Sequence, residues 1–514
     1  MDLRIDSASA MQMAQTIFGS GISIVSASYS GQSNQVGVYS GALTTIPGIA
    51  PSDSGLILST GRVDDFTQAS GDANISDSTS TNYGKAGDAM LDQVSGQKTY
   101  DAAVFSATFV PTGKVLTMQI VFSSDEYLEY VRSGYNDAVA IWVNGVPATL
   151  AVGDGDITID NINPWSNENL YVDNPAAANT HNTEMDGFTV TLTLKAAVKP
   201  GVQNTFRLAI ADAGDGAYDS TVLVAADSVQ VALVAQDETL TVHKARSGSV
   251  DVLANDSSTA AGALTVTKVN GVAVTVGSKV VLPTGDVITV GKGGVLTVDA
   301  AGHSDTHVLT YEVKDSAGNT DVAFVTLNVV ACFTLGTLIA VPDGEVAVEA
   351  LTPGDLVLTR DHGAQPLRWV GRATRAAVGP DAPVAIAAGR FGPHRAVMLS
   401  PNHRVMIGGP RAELLFAEPE VMVKARHLVD GQGVRRIEGG MVTYLHLLFD
   451  RHEVVMANGL PCESYYPGPA TMGGYDAETQ AEVLRLFPAL AQGKPIGPLA
   501  RPEVTGREAR ALVA

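Results

Sequence analysis

Two cysteines, Cys332 and Cys462, are the only thiols in a chain of 514 residues, and both lie in its last third. So few thiols exclude a disulfide-stapled scaffold and leave each as either a small buried hydrophobe or a candidate nucleophile. Two further stretches of the same region could move protons. One is LSPNHRVMI, residues 399–407, with Ser400 and His403. The other is TYLHLLFDRHEVVMANG, residues 443–459, with His452. The remaining histidines of this region, His362, His394, His427 and His446, lack the spacing of metal ligands, so no transition-metal site is expected.

A different chemistry is written into the first part of the chain. Residues 1–331 carry 15 Lys and Arg against 35 Asp and Glu, a net of −20, whereas residues 332–514 carry 18 against 19, a net of −1. Nucleic acid is therefore excluded as a partner of the first part. Asp125, Glu126 and Asp137 lie in SSDEYLEYVRSGYNDAVAIWVNG, and Asp212, Asp215 and Asp219 in IADAGDGAYDSTVLV. If these segments pair in space, their carboxylates suit Ca2+; otherwise they form a solvated acidic rim. No other cofactor is required.

The elements that must position these residues are strands. The 52 glycines and the abundance of Thr, Val, Ser and Asp point to strands joined by tight turns, an all-β fold class. In residues 1–235, stretches such as AVFSATFV, VLTMQIVFSS, AVAIWVNG and NTFRLAIAD alternate between Gly, Asn and Asp boundaries, which predicts an antiparallel β-sandwich. Residues 236–331 form a second β unit, 332–466 a third domain, and 467–514 a tail in which Asp476 caps a short helix over DAETQAEVLRLFPAL. There is no run of 18 apolar residues, so no transmembrane helix is expected. The N-terminus lacks the basic and apolar regions of a cleaved signal peptide.

Three resemblances follow from these segments. The stretch SSDEYLEYVRSGYNDAVAIWVNG with IADAGDGAYDSTVLV resembles the bacterial choice-of-anchor L domain over much of residues 40–235, which implies a cell-surface or extracellular location and a ligand there. DVLANDSS, GVLTVDAAG and YEVKDSAGNT resemble the cadherin-like, immunoglobulin-like repeats of bacterial adhesins, which implies a spacer. CFTLGTLIAVPDGEVAVEALTPGDLVLT, starting at Cys332 with turns at Pro342-Asp343-Gly344 and Pro353-Gly354-Asp355, resembles the opening block of the Hint family shared by Hedgehog proteins and inteins.

The Hint resemblance implies a self-cleaving reaction whose substrate is the chain itself. Cys332 attacks the carbonyl of Ala331 to give a thioester, which water or another nucleophile then opens. LSPNHRVMI looks like the family's Thr-x-x-His block with Ser400 for the threonine. His403 would protonate the leaving nitrogen, which departs poorly otherwise, while Ser400 orients it or donates to the oxyanion. His452 stands at the histidine of the penultimate block, but Leu445 occupies the place where many inteins carry aspartate; Asp450 and His446 lie nearby. The end, NGLPCESYYPG, holds Glu463 and Ser464 where inteins finish with His-Asn, so asparagine cyclisation is excluded. Cys462 is a second nucleophile or, the favoured reading, a structural strand residue. The rival reading is a surface module whose Hint domain is inactive.

Overall fold

The computed structural model of the protein describes residues 2–71, 73–131, 133, 135, 137–148, 157–164, 166–176, 180–241, 247–299, 307–328, 332–377, 382–466, 485–487, 499–504, 509 and 512. They fall into two compact units: residues 1–238, 250–297 and 307–326 in the first, and 239–249, 298–306 and 327–514 in the second. Both are mostly β, the expected class. Among the described residues no helix is long and apolar enough to cross a membrane.

The larger part of the first unit is built on two antiparallel sheets. One runs Arg4–Asp6, Val36–Ser40, Ser54–Ser59, Ser220–Ala225, Val115–Ser124, Gly187–Thr189; the other includes Ile22–Ser30, Thr99–Pro111, Asn204–Ala213 and Ala138–Val143 in that order. Side chains alternate across a strand, and so Ala103, Phe105, Ala107 and Phe109 on one strand and Phe206, Leu208 and Ile210 on its neighbour turn to the same face. They share a buried core with Met118, Ile120 and Phe122 of the other sheet. Each such Phe stabilises the fold by about 1.5–3 kcal/mol relative to exposure.

Residue 235 is not a break in packing. Within the same unit, Gln119 Nε2 donates to the Thr320 carbonyl (2.8 Å), Thr193 Oγ1 donates to Asp321 (3.3 Å), and Asn270 Nδ2 donates to the Asn169 carbonyl (2.8 Å). Val308 and Phe324 belong to the core of the sandwich. The later segment brings its own antiparallel ladder, Thr265–Val269 against His307–Lys314.

The second unit also has two sheets. The first runs Trp369–Ala376, Met441–Leu448, Phe333–Thr334, Val397–Leu399, Val384–Ile386, Val434–Arg436. The other runs Gly344–Ala347, Leu338–Val341, Val454–Ala457, Leu460–Glu463, Arg404–Gly408, Glu420–Lys424. Val341 pairs with Gly344, so Pro342 and Asp343 make the tight turn that their types predict, and Gly344 at φ +131° takes a conformation that side chains disfavour.

Part of the tail is built into this unit. Met422 N–H donates to the Pro502 carbonyl (2.7 Å) and Val504 N–H to the Met422 carbonyl (3.0 Å), which covers the edge strand Glu420–Lys424. Val504, Ala509 and Leu512 enter the core. The helix expected from Asp476 falls mainly on residues outside those described; Arg485 and Leu486 are helical.

Candidate active site

The Phe333–Thr334 strand lies between two others, and its register decides what meets Cys332. Phe333 pairs with Leu399 on one side and with Leu445 on the other. One residue back along the strand, Cys332 therefore faces Ser400 and His446. The Cys332 N–H donates to Ser400 Oγ at 2.8 Å, and the Ser400 N–H donates to the Cys332 carbonyl at 3.0 Å. Cys332 Sγ stands 3.5 Å from His446 Nε2. The thiol is buried beside Ala377, Val442 and Tyr444. Ala331 and its carbonyl lie outside the described residues.

Ser400 Oγ thus holds the nitrogen of the bond expected to break. His403 N–H donates to the Ser400 carbonyl (3.0 Å), and this turn folds the imidazole back onto Phe333, ring centroids 4.4 Å apart. The His403 ring is sealed from water. Desolvation lowers its pKa to about 4 against the upward pull of the Glu463 charge and of the Cys332 backbone, so it is neutral at pH 7. Among the described residues neither ring nitrogen has a side-chain hydrogen-bond partner.

Behind His403 lies a charged network. Glu463 Oε1 accepts from the Arg404 backbone N–H (2.7 Å) and Oε2 from Arg404 Nη1 (2.8 Å). Burial pushes the Glu463 carboxyl up, but the Arg404 charge and the His452 hydrogen bond outweigh it and hold its pKa at about 2. His452 Nε2 is 3.2 Å from Glu463 Oε2, while the Ala500 N–H donates to Nδ1 at 2.9 Å. The ring proton therefore sits on Nε2, facing Glu463. Glu503 binds Arg404 Nε (2.6 Å) and Lys424 Nζ (3.0 Å). Residues 500–504 accordingly complete the surroundings of His452 and Arg404.

Cys332, Ser400 and His403 are brought together; His452 is linked to them through Glu463. Cys462 is fully buried between Val405 and Val455, and desolvation raises its pKa well above that of an ordinary thiol. Leu445 is a core residue. Asp450 is exposed and pairs with Arg368 through two bonds of 2.9 and 2.6 Å.

His446 is the residue that sequence reasoning passed over. Its one signal is a lone polar side chain within the apolar run TYLHLLF, and a buried polar group requires a partner. Gly371 pairs with His446 across the ladder. A Cβ there would collide with the Trp369 indole, so glycine lets Trp369 lie beside His446, with Tyr465 at 5.2 Å between centroids.

In the first unit the two acidic segments do converge. Ser124 pairs with Ser220 and Ala138 with Ala211, so the next residues along, Asp125 with Asp219 and Asp137 with Asp212, stand across from one another. The Asp125 N–H donates to the Asp219 carbonyl (3.1 Å). Glu126 accepts from the Asp137 N–H (3.3 Å), and all five are buried, whereas Asp215 is exposed. Desolvation, with help from neighbouring carboxylates, raises the pKa of Asp125 to about 9 and of Glu126 to about 10.

Three family models match the chain: the choice-of-anchor L domain over residues 3–230, the bacterial Ig domain over 227–328, and the Hint domain over 331–469. Solved structures that resemble it include the MchDnaB-1 intein, with 12% identity, 25% of this chain, 98% of its own and a TM-score of 0.17. The gp41-1 intein shows 12% identity, 26% and 97% coverage and a TM-score of 0.17. The M60 catalytic domain with the CBM51-1 and CBM51-2 domains from Clostridium perfringens ZmpB shows 11% identity, 86% and 43% coverage and a TM-score of 0.15. No curated protein matches. On the family models, the chain carries in series a choice-of-anchor L domain, a bacterial Ig domain and, beginning around Cys332, a Hint domain.

Proposed function

We propose that the Hint domain cuts the chain at Ala331-Cys332 by a shift of the Ala331 acyl group from nitrogen to sulfur. The single observation that carries this reading is the bracketing of Cys332: its nitrogen is held by Ser400 and its sulfur lies against His446. His446 takes the thiol proton as sulfur attacks the Ala331 carbonyl, because the thiolate is the attacking form. The tetrahedral centre collapses when the C–N bond breaks and the Cys332 nitrogen gains a proton. The proton that left the thiol is the one the nitrogen gains: His403, neutral at rest, takes it up as the oxyanion develops and then hands it to the Cys332 nitrogen, so His446 is again neutral and the shift needs no outside acid. Water or another nucleophile then opens the thioester and frees the upstream residues.

The choice-of-anchor L domain at the front supports an exported or surface-displayed protein. Ser464 stands in the asparagine's place and has no amide with which to cyclise, while Glu463, in the histidine's place, is tied to Arg404 and His452, so the reaction stops short of splicing.

Incubating the purified full chain with dithiothreitol tests the reading, because a thiol exchanges with a thioester far faster than water hydrolyses an amide. One product should end at Ala331 and the other begin at Cys332, with no fragment beginning at Tyr465. Cys332→Ala should abolish cleavage, and His403→Ala should slow it about 100-fold, the scale for a positioned general acid. A folded wild-type chain that keeps its full mass would establish the rival, an inactive surface module. Cleavage surviving in Cys332→Ala would end the mechanism.

A further inference from the structure

We infer that residues 500–504 are a positioning element of the self-cleaving site: they fix the ring proton of His452 and thereby let the charge of Glu463 act undiminished on His403. The inference rests on the cleavage proposed above, and the segment lies beyond the Hint domain's residues 331–469. It docks along the edge strand Glu420–Lys424. Glu503 bridges in parallel to Met422, whose N–H donates to the Pro502 carbonyl (2.7 Å) and whose carbonyl accepts from the Val504 N–H (3.0 Å). Arg501 is held between Asp361, through bonds of 3.1 and 2.8 Å, and Glu420 at 2.8 Å. Ala500 packs on Met406, Met422 and Val454.

Two groups of this segment reach the charged network. The Ala500 N–H donates to His452 Nδ1 at 2.9 Å, and Glu503 accepts from Arg404 Nε at 2.6 Å. A ring nitrogen that accepts a hydrogen bond has its lone pair engaged and carries no proton. The one proton of the neutral ring is therefore on Nε2, 3.2 Å from Glu463 Oε2. His452 thus donates to the carboxylate without standing beside it as a cation. Tyr466 lies against the same ring, centroids 4.9 Å apart. Glu503, by taking Arg404 Nε, keeps Nη1 turned to Glu463 at 2.8 Å.

The link to the chemistry is electrostatic. His403 must accept the thiol proton as the oxyanion develops; the Glu463 charge favours its protonated form, and a charged His452 would oppose it. All three side chains are buried, so water does little to screen these charges from one another. A strap that merely covered the edge strand would need neither inward contact. The pairing of Pro502 and Val504 with Met422 already covers that edge, and Val504 already fills the core. Ala500 and Glu503 touch no reacting atom; they act through His452 and Arg404.

The experiment uses the full chain with Ala500→Pro, which removes the donor, and Ala500→Gly, which restores it. Nitrogen NMR of histidine-labelled protein reads the His452 tautomer, with Cys332→Ala present to keep the chain whole. We expect a proton on Nε2 alone with Ala500 or its glycine form, and a proton at Nδ1 in Ala500→Pro. With Cys332 in place, cleavage driven by dithiothreitol should slow about tenfold in Ala500→Pro, the scale of one lost hydrogen bond, and recover in Ala500→Gly. Glu503→Ala should slow it as well, and Glu503→Gln, whose amide oxygen can still accept from Arg404, should restore most of the rate. Hydrogen exchange at Met422 and Val504 reports whether the segment stays docked; where Ala500→Pro releases it, the two Glu503 variants decide. An unchanged tautomer in a docked Ala500→Pro chain, or a rate that neither Ala500→Pro nor Glu503→Ala lowers, would overturn the inference and leave the segment as an edge cover. A wild-type chain that does not cleave fails the cleavage reading instead, and the tautomer alone then decides whether the segment positions His452.

Discussion

Glu463 in the second unit and Asp137 in the first are both carboxylates sealed from water, yet they are driven in opposite directions. Desolvation raises the pKa of each. At Glu463 the Arg404 guanidinium and His452 more than offset it, and the pKa falls to about 2. At Asp137 the charges nearby are Asp219 and Asp215, and the pKa climbs to about 8. The contrast teaches that burial alone does not make an acid functional or structural; the sign of its nearest charge does. A buried acid with its own cation is a finished ion pair, and one without is a vacancy for a proton or a metal.

The sharpest way to break the comparison is to remove the guanidinium. Arg404→Met leaves Glu463 buried without its guanidinium, which should cost about 3–5 kcal/mol, and Glu463→Gln added to it should recover part of the loss. Urea unfolding followed by hydrogen exchange in the Leu460–Glu463 strand reads this directly. A loss below about 1 kcal/mol would show that the pair is not what holds Glu463 ionised.

The two units should also answer pH in opposite senses. Asp137 ionises less readily folded than unfolded. The stability it contributes is complete below its ordinary pKa of 3.8 and is lost as pH rises through about 8. Glu463 ionises more readily folded, so its contribution is present above 4.5 and is lost as pH falls toward about 2. Melting curves with exchange readout in each unit should show the first weakening between pH 4 and 8 while the second holds steady until it is made acidic. Parallel profiles would dissolve the distinction.

A smaller effect of opposite sign is expected from Asp137→Asn alone. At pH 8 it should stabilise the first unit by roughly 1 kcal/mol or more, since one unit of pKa shift corresponds to about 1.4 kcal/mol. The Asn Oδ1 can still accept from Ala213 N–H, as Asp137 Oδ1 does at 2.9 Å. Destabilisation would contradict the raised pKa. The smallest effect supplies the baseline. Arg368 and Asp450 are about half exposed, so Arg368→Ala should change stability by about 0–1 kcal/mol, because water and salt screen the pair.

Much of this was legible in the sequence where the signal is local. Alternation in NTFRLAIADA shows which side chains turn inward, and the Pro342-Asp343-Gly344 turn is written in residue types. Cys332, Ser400 and His403 stood out because their two segments resemble blocks of the Hint family. His446 did not, because its meeting with Cys332 depends on the register of strands more than a hundred residues apart, which no local period encodes. Arg404 and Glu463 were hidden for the same reason, as was the docking of Glu503. The convergence of Asp137 with Asp212 was foreseen as a condition, but which acids would be buried required the pairing itself.

The way residues 500–504 lock onto the Hint domain sets an order of events during synthesis. Cys332 and Ser400 leave the ribosome early, while the backbone that partners His452 and the carboxylate that braces Arg404 emerge only near the end. Domains fold largely as units from the N-terminus onward. The segment before Cys332 therefore has time to reach its folded state before the surroundings of His452 and Arg404 are complete, and a ribosome that stalls short of Ala500 leaves that network without its last members.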